Sequence, residues 1–536
     1  MGLRNIMIMK STKTIRWLVF GTSCLIALHA GSSLSHEGAE QAGKVDFQIS
    51  CGEVSQLAMN KGMAQLHNMM YVEAEEIFKT AAGKDPGCAM LYWGIAMTRF
   101  HPLWPGNPSE EDMAVGTTAI KKAQAVGGGS QRENDFITAA STIYLLDESA
   151  NWNERITAWS AGQRQVHDRY PDDVDAAALF ALSHLATADK SDKTLRNQRE
   201  SGKLLEALHA SNPEHPAGFH YLLHAYDNPA LANKAIDIAQ AYDKLAPSVP
   251  HALHMPSHIF TRMGMWDQSI SWNTRSAKAA IEESPESMTL SHYAHAIDYL
   301  VYAYLQKGNV AAASKAIAEM NGIDNHQNSF GTAYALAAAP ARVPLEQEDW
   351  KGAISIPVNG NKGINWEKYP AMSAITQFAR GLGAARSGDS TIANEAINSL
   401  GEIRDKLVKS NQPYWATLVG SQQKSVEAWL AFPKGDRERA LQLMLQAADM
   451  EDSVDKHPVT PGAVLPAREL LGDMLSLMDR ENEALAAYES ALKISPNRAR
   501  SLRSAQQAAA KIGQTERSKG FKDQLETQLK IASVEG

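Results

Sequence analysis

The sequence predicts an all-α chain in which antiparallel helix pairs stack one on the next as an α-solenoid, wound into a right-handed superhelix. Three observations carry this. Ala-rich segments with apolar residues three and four apart recur along nearly the whole chain, separated by short breaks of Gly, Pro, Asn and Asp. Alternation suited to strands is scarce, and residues 353–358 are the one short candidate. Segments near the two ends share one spacing of small, aromatic and proline residues. A chain of 536 residues is long enough for a large core, and without sheets it needs a repeat to organise it.

Residues 1–35 read as an export signal. Arg4, Lys10, Lys13 and Arg16 occur there with no acidic residue, and the apolar run Trp17 to Ala30 follows. That run is short for a bilayer span. Ser33 and Ser35 suit a cleavage site that leaves His36 as the first residue of an exported, periplasmic chain, with residues 36–45 a flexible lead-in. No later segment is long and apolar enough to cross a membrane. The formal charge of −8 becomes −12 without the signal, with 48 Lys and Arg against 60 Asp and Glu. Such a balance argues against nonspecific nucleic-acid binding and against a polybasic membrane surface. Cysteines number 3, too few for a disulfide-rich scaffold or a thiolate zinc ribbon.

The repeat is plainest at residues 71–86, with Ala74, Phe78, Ala81 and Pro86, and at 472–496, with Gly472, Ala484, Tyr488, Ala491 and Pro496. Small residues let two helices approach, the aromatic fills the gap, and proline stops the second helix. These residues resemble the tetratricopeptide repeat, a helix–turn–helix unit of about 34 residues. The resemblance implies a repeat array over residues 46–499, closed by a solvating helix and tail over 500–536. It speaks to fold and hardly to function, because such arrays host many binding roles.

One internal duplication is sharper. Residues 213–226 recur at 247–260, offset by one repeat of about 34 residues. Pro213 pairs with Pro247, Pro216 with Pro250, His220 with His254, His224 with His258, and Tyr226 with Phe260. In the register of the family, His220, His224, His251, His254 and His258 face the concave groove. The following repeat adds His295, Asp298 and Tyr302, with His292 one turn earlier.

Histidines at i and i+4 stand one above the other on a helix, a spacing that lets two imidazoles grip one metal. Neighbouring helices lie about 8–10 Å apart, so donors from two repeats can converge. The metal set expected is His220, His224, His251, His254, His258 and His295, holding copper or zinc, for metal handling or a redox site. With six or seven histidines a two-metal copper centre is conceivable. The alternative is a non-catalytic scaffold whose groove takes a peptide or a small anionic ligand, with the same histidines as hydrogen-bonding groups. Pro256 should break the helix between His254 and His258. Met90, Trp93 and Met97 occupy groove positions of an earlier repeat, as soft donors for copper(I), an apolar wall, or the packing of an end unit.

The Pro-interrupted stretch 451–462 is either a linker or a lid that carries His457 into the groove. Cys51 precedes the first helix of one repeat and Cys88 opens the next, so the two should lie close and form a disulfide in an oxidising compartment. No nucleophile elbow, phosphate loop, dinucleotide fingerprint or zincin helix occurs. Residues 85–94, 251–258 and 456–462 together look like a group of exported bacterial tetratricopeptide-repeat proteins, His-rich and without settled activity. That likeness implies fold and export and adds no catalytic residue.

Overall fold

The computed structural model describes residues 41–103, 108–189, 191–285 and 287–530. The expected signal falls outside them. Among the described residues the chain is helical with no strand; the only ladder pairing is an isolated bridge between Thr289 and His326. Residues 353–358 do not form the strand their alternation allowed. They end the helix Trp350–Ile354 and continue into a turn, because the capping Asp349 side chain starts a helix there. No helix among the described residues is long and apolar enough to cross a membrane.

Helices alternate between two roles. In the first pair, Glu53–His67 lies against Tyr71–Lys84; the next pair begins with Ala89–Met97, and its inner helix also touches Glu53–His67. The same alternation runs to the last pair, Ala499–Lys511 and Thr515–Leu529. This is the tetratricopeptide-like solenoid. Side-chain caps start many of the helices: Ser109, Ser130 and Asp173 each accept a backbone N–H, and Asn151 forms a capping box with Glu154. Residues 500–536 were expected to be one solvating helix and tail. Instead the inner helix Ala499–Lys511 buries Leu502, Ala505, Ala508 and Ala509, and only Thr515–Leu529 is a polar end cap. Residues 41–45 were expected to be loose. Ala42 and Val45 are buried, and Lys44 N–H donates to the Glu214 carbonyl at 2.8 Å.

The coil is tight enough to touch itself. Helix Glu53–His67 packs on Pro216–Tyr226, and Ser291–Gln306 packs on Ala499–Lys511. Trp266 Nε1–H donates to the Asn497 carbonyl at 2.9 Å, and Gln306 Oε1 accepts the Ala499 N–H at 2.9 Å. Side chains that would line an open groove in a wider coil are therefore buried. Two large apolar clusters result, one reaching from Ala42 to Ala279 and the other from Ala277 to Ala509. The helix Trp266–Glu283 contributes to both, and the buried His220, His251, His254, His258 and His295 form a polar seam in the interior.

The stretch Ser453–Pro466 runs through the interior rather than bridging two helices outside it. Tyr299 Oη donates to the Pro458 carbonyl at 2.9 Å or the Thr460 carbonyl at 3.0 Å. Arg342 donates to Thr460 Oγ1 at 3.1 Å and to the Gly462 and Ala463 carbonyls. His457 does not reach the other histidines; its ring packs among Phe330, Tyr414 and Trp415.

Candidate metal centre

His220 and His224 project from the helix Pro216–Tyr226, which proline opens at its first turn. His251 and His254 lie on the short helix Pro250–His254, and His258 on Pro256–Arg262. The break at Met255 is where Pro256 required it, since proline cannot continue the helical ladder. His292 and His295 come from the first turns of Ser291–Gln306.

Two clusters of three result. One nitrogen each of His220, His224 and His251 lie within 4.8 Å of one another, and so do those of His254, His258 and His295. The clusters adjoin: the His251 and His254 rings are 5.9 Å apart, and those of His224 and His258 are 5.8 Å apart. His292 stands beside them, its ring 5.1 Å from that of His251. His220, His251, His254, His258 and His295 are between 0% and 4% exposed, and His224 is half-buried.

Acceptor groups set the tautomers. His220 Nδ1–H donates to the His67 carbonyl at 2.7 Å, which leaves Nε2 with a lone pair and no hydrogen-bond partner. His258 Nδ1–H donates to Asp227 Oδ2 at 2.8 Å. His254 Nδ1–H donates to Asn273 Oδ1 at 2.7 Å, and the Asn273 amide is oriented by donating its own N–H to the Ser269 carbonyl at 2.7 Å. His254 Nε2 and His258 Nε2 therefore face each other at 3.0 Å, each presenting a lone pair. Two such lone pairs repel unless a proton or a metal ion lies between them. Nitrogens about 2.0–2.1 Å from one tetrahedral ion would stand roughly 3.3 Å apart.

The electrostatics disfavour the proton. Burial, together with the neighbouring imidazoles, holds His251, His254 and His295 well below the usual histidine range, and burial takes His220 to about 3. Burial also takes His292 to about 4 and lowers His258, although Asp227 opposes the shift at His258. Burial works against ionising Asp227, but Lys456, Arg262 and His258 together hold its carboxyl well below the ordinary range. Asp227 is thus a carboxylate that accepts from Arg262 Nε at 2.8 Å and Lys456 Nζ at 2.9 Å as well as from His258. Carboxylate or carbonyl acceptors behind an imidazole are the usual second layer of a metal site, where they orient the ring and raise its basicity.

The other groove residues go elsewhere. Asp298 pairs with Arg342 at 2.8 Å with neither side chain exposed. Tyr302 packs against Trp266 and below the Arg342 and Arg498 guanidinium groups. Trp93 stacks on Phe47 and donates Nε1–H to the Phe136 carbonyl, with Met90 and Met97 in the same apolar core, so these three pack an end unit rather than face a ligand. Cys51 and Cys88 form a disulfide. Sequence reasoning passed over His67, Asp175 and His215, which also cluster. His67 is held on both nitrogens, with Nε2–H donating to Asp175 at 2.7 Å and Nδ1 accepting from Tyr221 at 3.0 Å; His215 Nδ1 accepts the Ala217 N–H at 3.3 Å, and its Nε2 lies 3.4 Å from Asp175 Oδ1. The cluster buttresses His67, whose carbonyl orients His220. Asp227 and Asn273 were also passed over; Asp227 directly follows the duplicated segment, and that adjacency was the one available signal.

A cavity of about 360 Å³ lies alongside, with His224, Asp227 and Arg262 on one wall and Phe378, Tyr414 and Trp415 on another.

No family model matches the chain, and no curated protein matches it. Among solved structures, it is similar to a monomeric mutant of IFIT1 with the capped RNA m7Gppp-AAAA, at a TM-score of 0.35 and 10% identity, over 91% of this chain and 98% of that chain. It is similar also to the APC/C hetero-tetramer Cut9-Hcn1, at a TM-score of 0.33 and 10% identity, over 88% of this chain and 89% of that chain. Likenesses this distant carry no argument; the fold assignment rests on the packing of the chain itself.

Proposed function

We propose that the chain is an exported tetratricopeptide-like solenoid that binds a transition metal, copper or zinc, in the histidine seam, for metal handling or redox work. The observation that supports this most is the pair of facing imidazole nitrogens, His254 Nε2 and His258 Nε2, 3.0 Å apart with both outer nitrogens engaged as donors. Neutral imidazoles without a carboxylate among them suit copper and zinc better than magnesium or calcium. Export would bring the chain to an oxidising compartment, which fits the Cys51–Cys88 disulfide.

The test is metal content of the purified parent beside His258→Ala, with melting curves of both. The parent should retain metal through desalting, and His258→Ala should lose most of it while still folding. Equal metal content, or a parent that never holds metal when purified without chelators, would end this reading.

The cavity favours a second reading, a scaffold that seats a peptide there. Most of its cations are already paired, Arg262 with Asp227 and Asp455, Lys456 with Asp227, and Arg468 with Asp449 and Asp452, while Lys193 donates to the Asp452 carbonyl. An aromatic peptide side chain therefore suits the cavity better than a small anion.

A further inference from the structure

The two histidine clusters are not equivalent to one larger site. Each takes an i, i+4 pair of imidazoles from one repeat and a third from the next inner segment: His220 and His224 with His251, then His254 and His258 with His295. Duplication has built the same donor set twice. The tight coil and the break at Pro256 then bring the copies side by side, with rings of different clusters 5.8 and 5.9 Å apart.

Charge decides which ions fit. All six donors are neutral, and the nearby carboxylate, Asp227, is matched by Arg262 and Lys456. Two zinc ions would place four positive charges in a buried site with no anionic ligand, and desolvating each ion is costly. Two copper(I) ions bring half that charge and accept three imidazoles each. We propose that the seam holds two copper ions, one per histidine cluster, close enough to bind one dioxygen molecule between them. This rests on the metal reading above and deepens it.

The electron balance is closed. Each copper(I) gives one electron, dioxygen gains two and becomes a bridging peroxide dianion, and both ions become copper(II). No proton moves, and the O–O bond is weakened but not broken. The net charge of the centre is two positive before and after, so the buried site need not adapt to a change in charge. Release returns both electrons to the metals. His224 lines the neighbouring cavity, which gives the first cluster an open side.

The experiment uses the full chain, stripped of metal, loaded with excess copper(I) under nitrogen, desalted, and then exposed to air. Two coppers per chain are expected. Air should raise a peroxide-to-copper(II) charge-transfer band in the near ultraviolet. The electron paramagnetic resonance signal should fall far below that of two isolated copper(II) ions, because bridged spins couple. His224→Ala and His295→Ala, checked for folding by their melting curves, should each bind no more than one copper and lose the band. Two coppers with full uncoupled signal would overturn the proposal. One copper per chain would also overturn it while leaving the metal-binding reading standing. No retained metal would end both. The stoichiometry and signal of the parent decide the matter even if the variants fail to fold.

Discussion

Asp227 shows how one side chain serves two ends. Its carboxylate fixes the proton of His258 on Nδ1 and at the same time anchors Arg262 and Lys456, the latter from the interior stretch Ser453–Pro466. The inward-facing Nε2 of His258 is therefore prepared by a residue that touches only the far side of the ring. A different carboxyl reports on the cost of burial. Glu283 ends the helix Trp266–Glu283, where the helix dipole is unfavourable to an anion, and burial with Glu73 nearby pushes it up to about 8. A carboxyl whose folded value lies above its unfolded value binds more protons when folded, so stability is lost as pH rises through that interval. The parent should therefore lose stability between about pH 4.5 and pH 8, and Glu283→Gln should lose less. The gap in unfolding free energy, near zero in mild acid, should widen steadily above about pH 4.5 and reach about 2–4 kcal/mol by pH 8.5, less than the full linkage value because the carboxyl is only half-buried. Denaturant melts of both proteins at several pH values measure it, and parallel curves would mean that Glu283 is not held protonated.

Helix pairs are keyed by glycine against an aromatic ring. A Cβ on Gly62 would lie 2.3 Å from Phe78, and one on Gly94 would lie 2.8 Å from the same ring, so Phe78 is held between two inner helices with nowhere to move. Gly472 faces Tyr488 at 2.5 Å in the same way near the other end. On a free helix surface Gly→Ala would stabilise by about 1 kcal/mol. Gly62→Ala should instead destabilise by about 1–3 kcal/mol through overpacking. The sign of the change in a urea melt separates the two outcomes. The same elements also explain what was legible: Phe78 and Tyr488 announced the repeat from sequence, and Pro256 announced the helix break. Asn273 did not announce itself, because it lies outside the duplicated segments and the position 34 residues earlier is Ala239, so no repeated polar residue pointed to it.

The coil as folded is a closed object more than an open groove. Its first inner helix reaches the helix that carries His220, and the His67 carbonyl there sets the His220 tautomer. The N-terminal unit is thus part of the support of the histidine clusters, and the Cys51–Cys88 bond restrains that unit. The bond closes a separation of 37 residues, for which chain entropy gives about 3–4 kcal/mol. Cys51→Ser with Cys88→Ser should lower stability by about that amount in a denaturant melt. Thiol titration of the unfolded, unreduced chain without residues 1–35, which hold the third cysteine, Cys24, should find no free thiol; two reactive thiols would show the bond absent.

Periodicity, the small-aromatic-proline spacing and the duplicated histidines were enough to specify an all-helical repeat, the break at Pro256 and which imidazoles share an inner face. These are local or translationally repeated properties, so they can be read along the chain. How tightly the repeats coil is not such a property, because it sums small rotations at every interface between pairs. That sum buried the expected groove, drew residues 453–466 inside, and sent Asp298 to Arg342 and Trp93 into the core. It also brought His67, Asp227 and Asn273 behind the histidines, and only in three dimensions do two repeated pairs become two adjoining clusters.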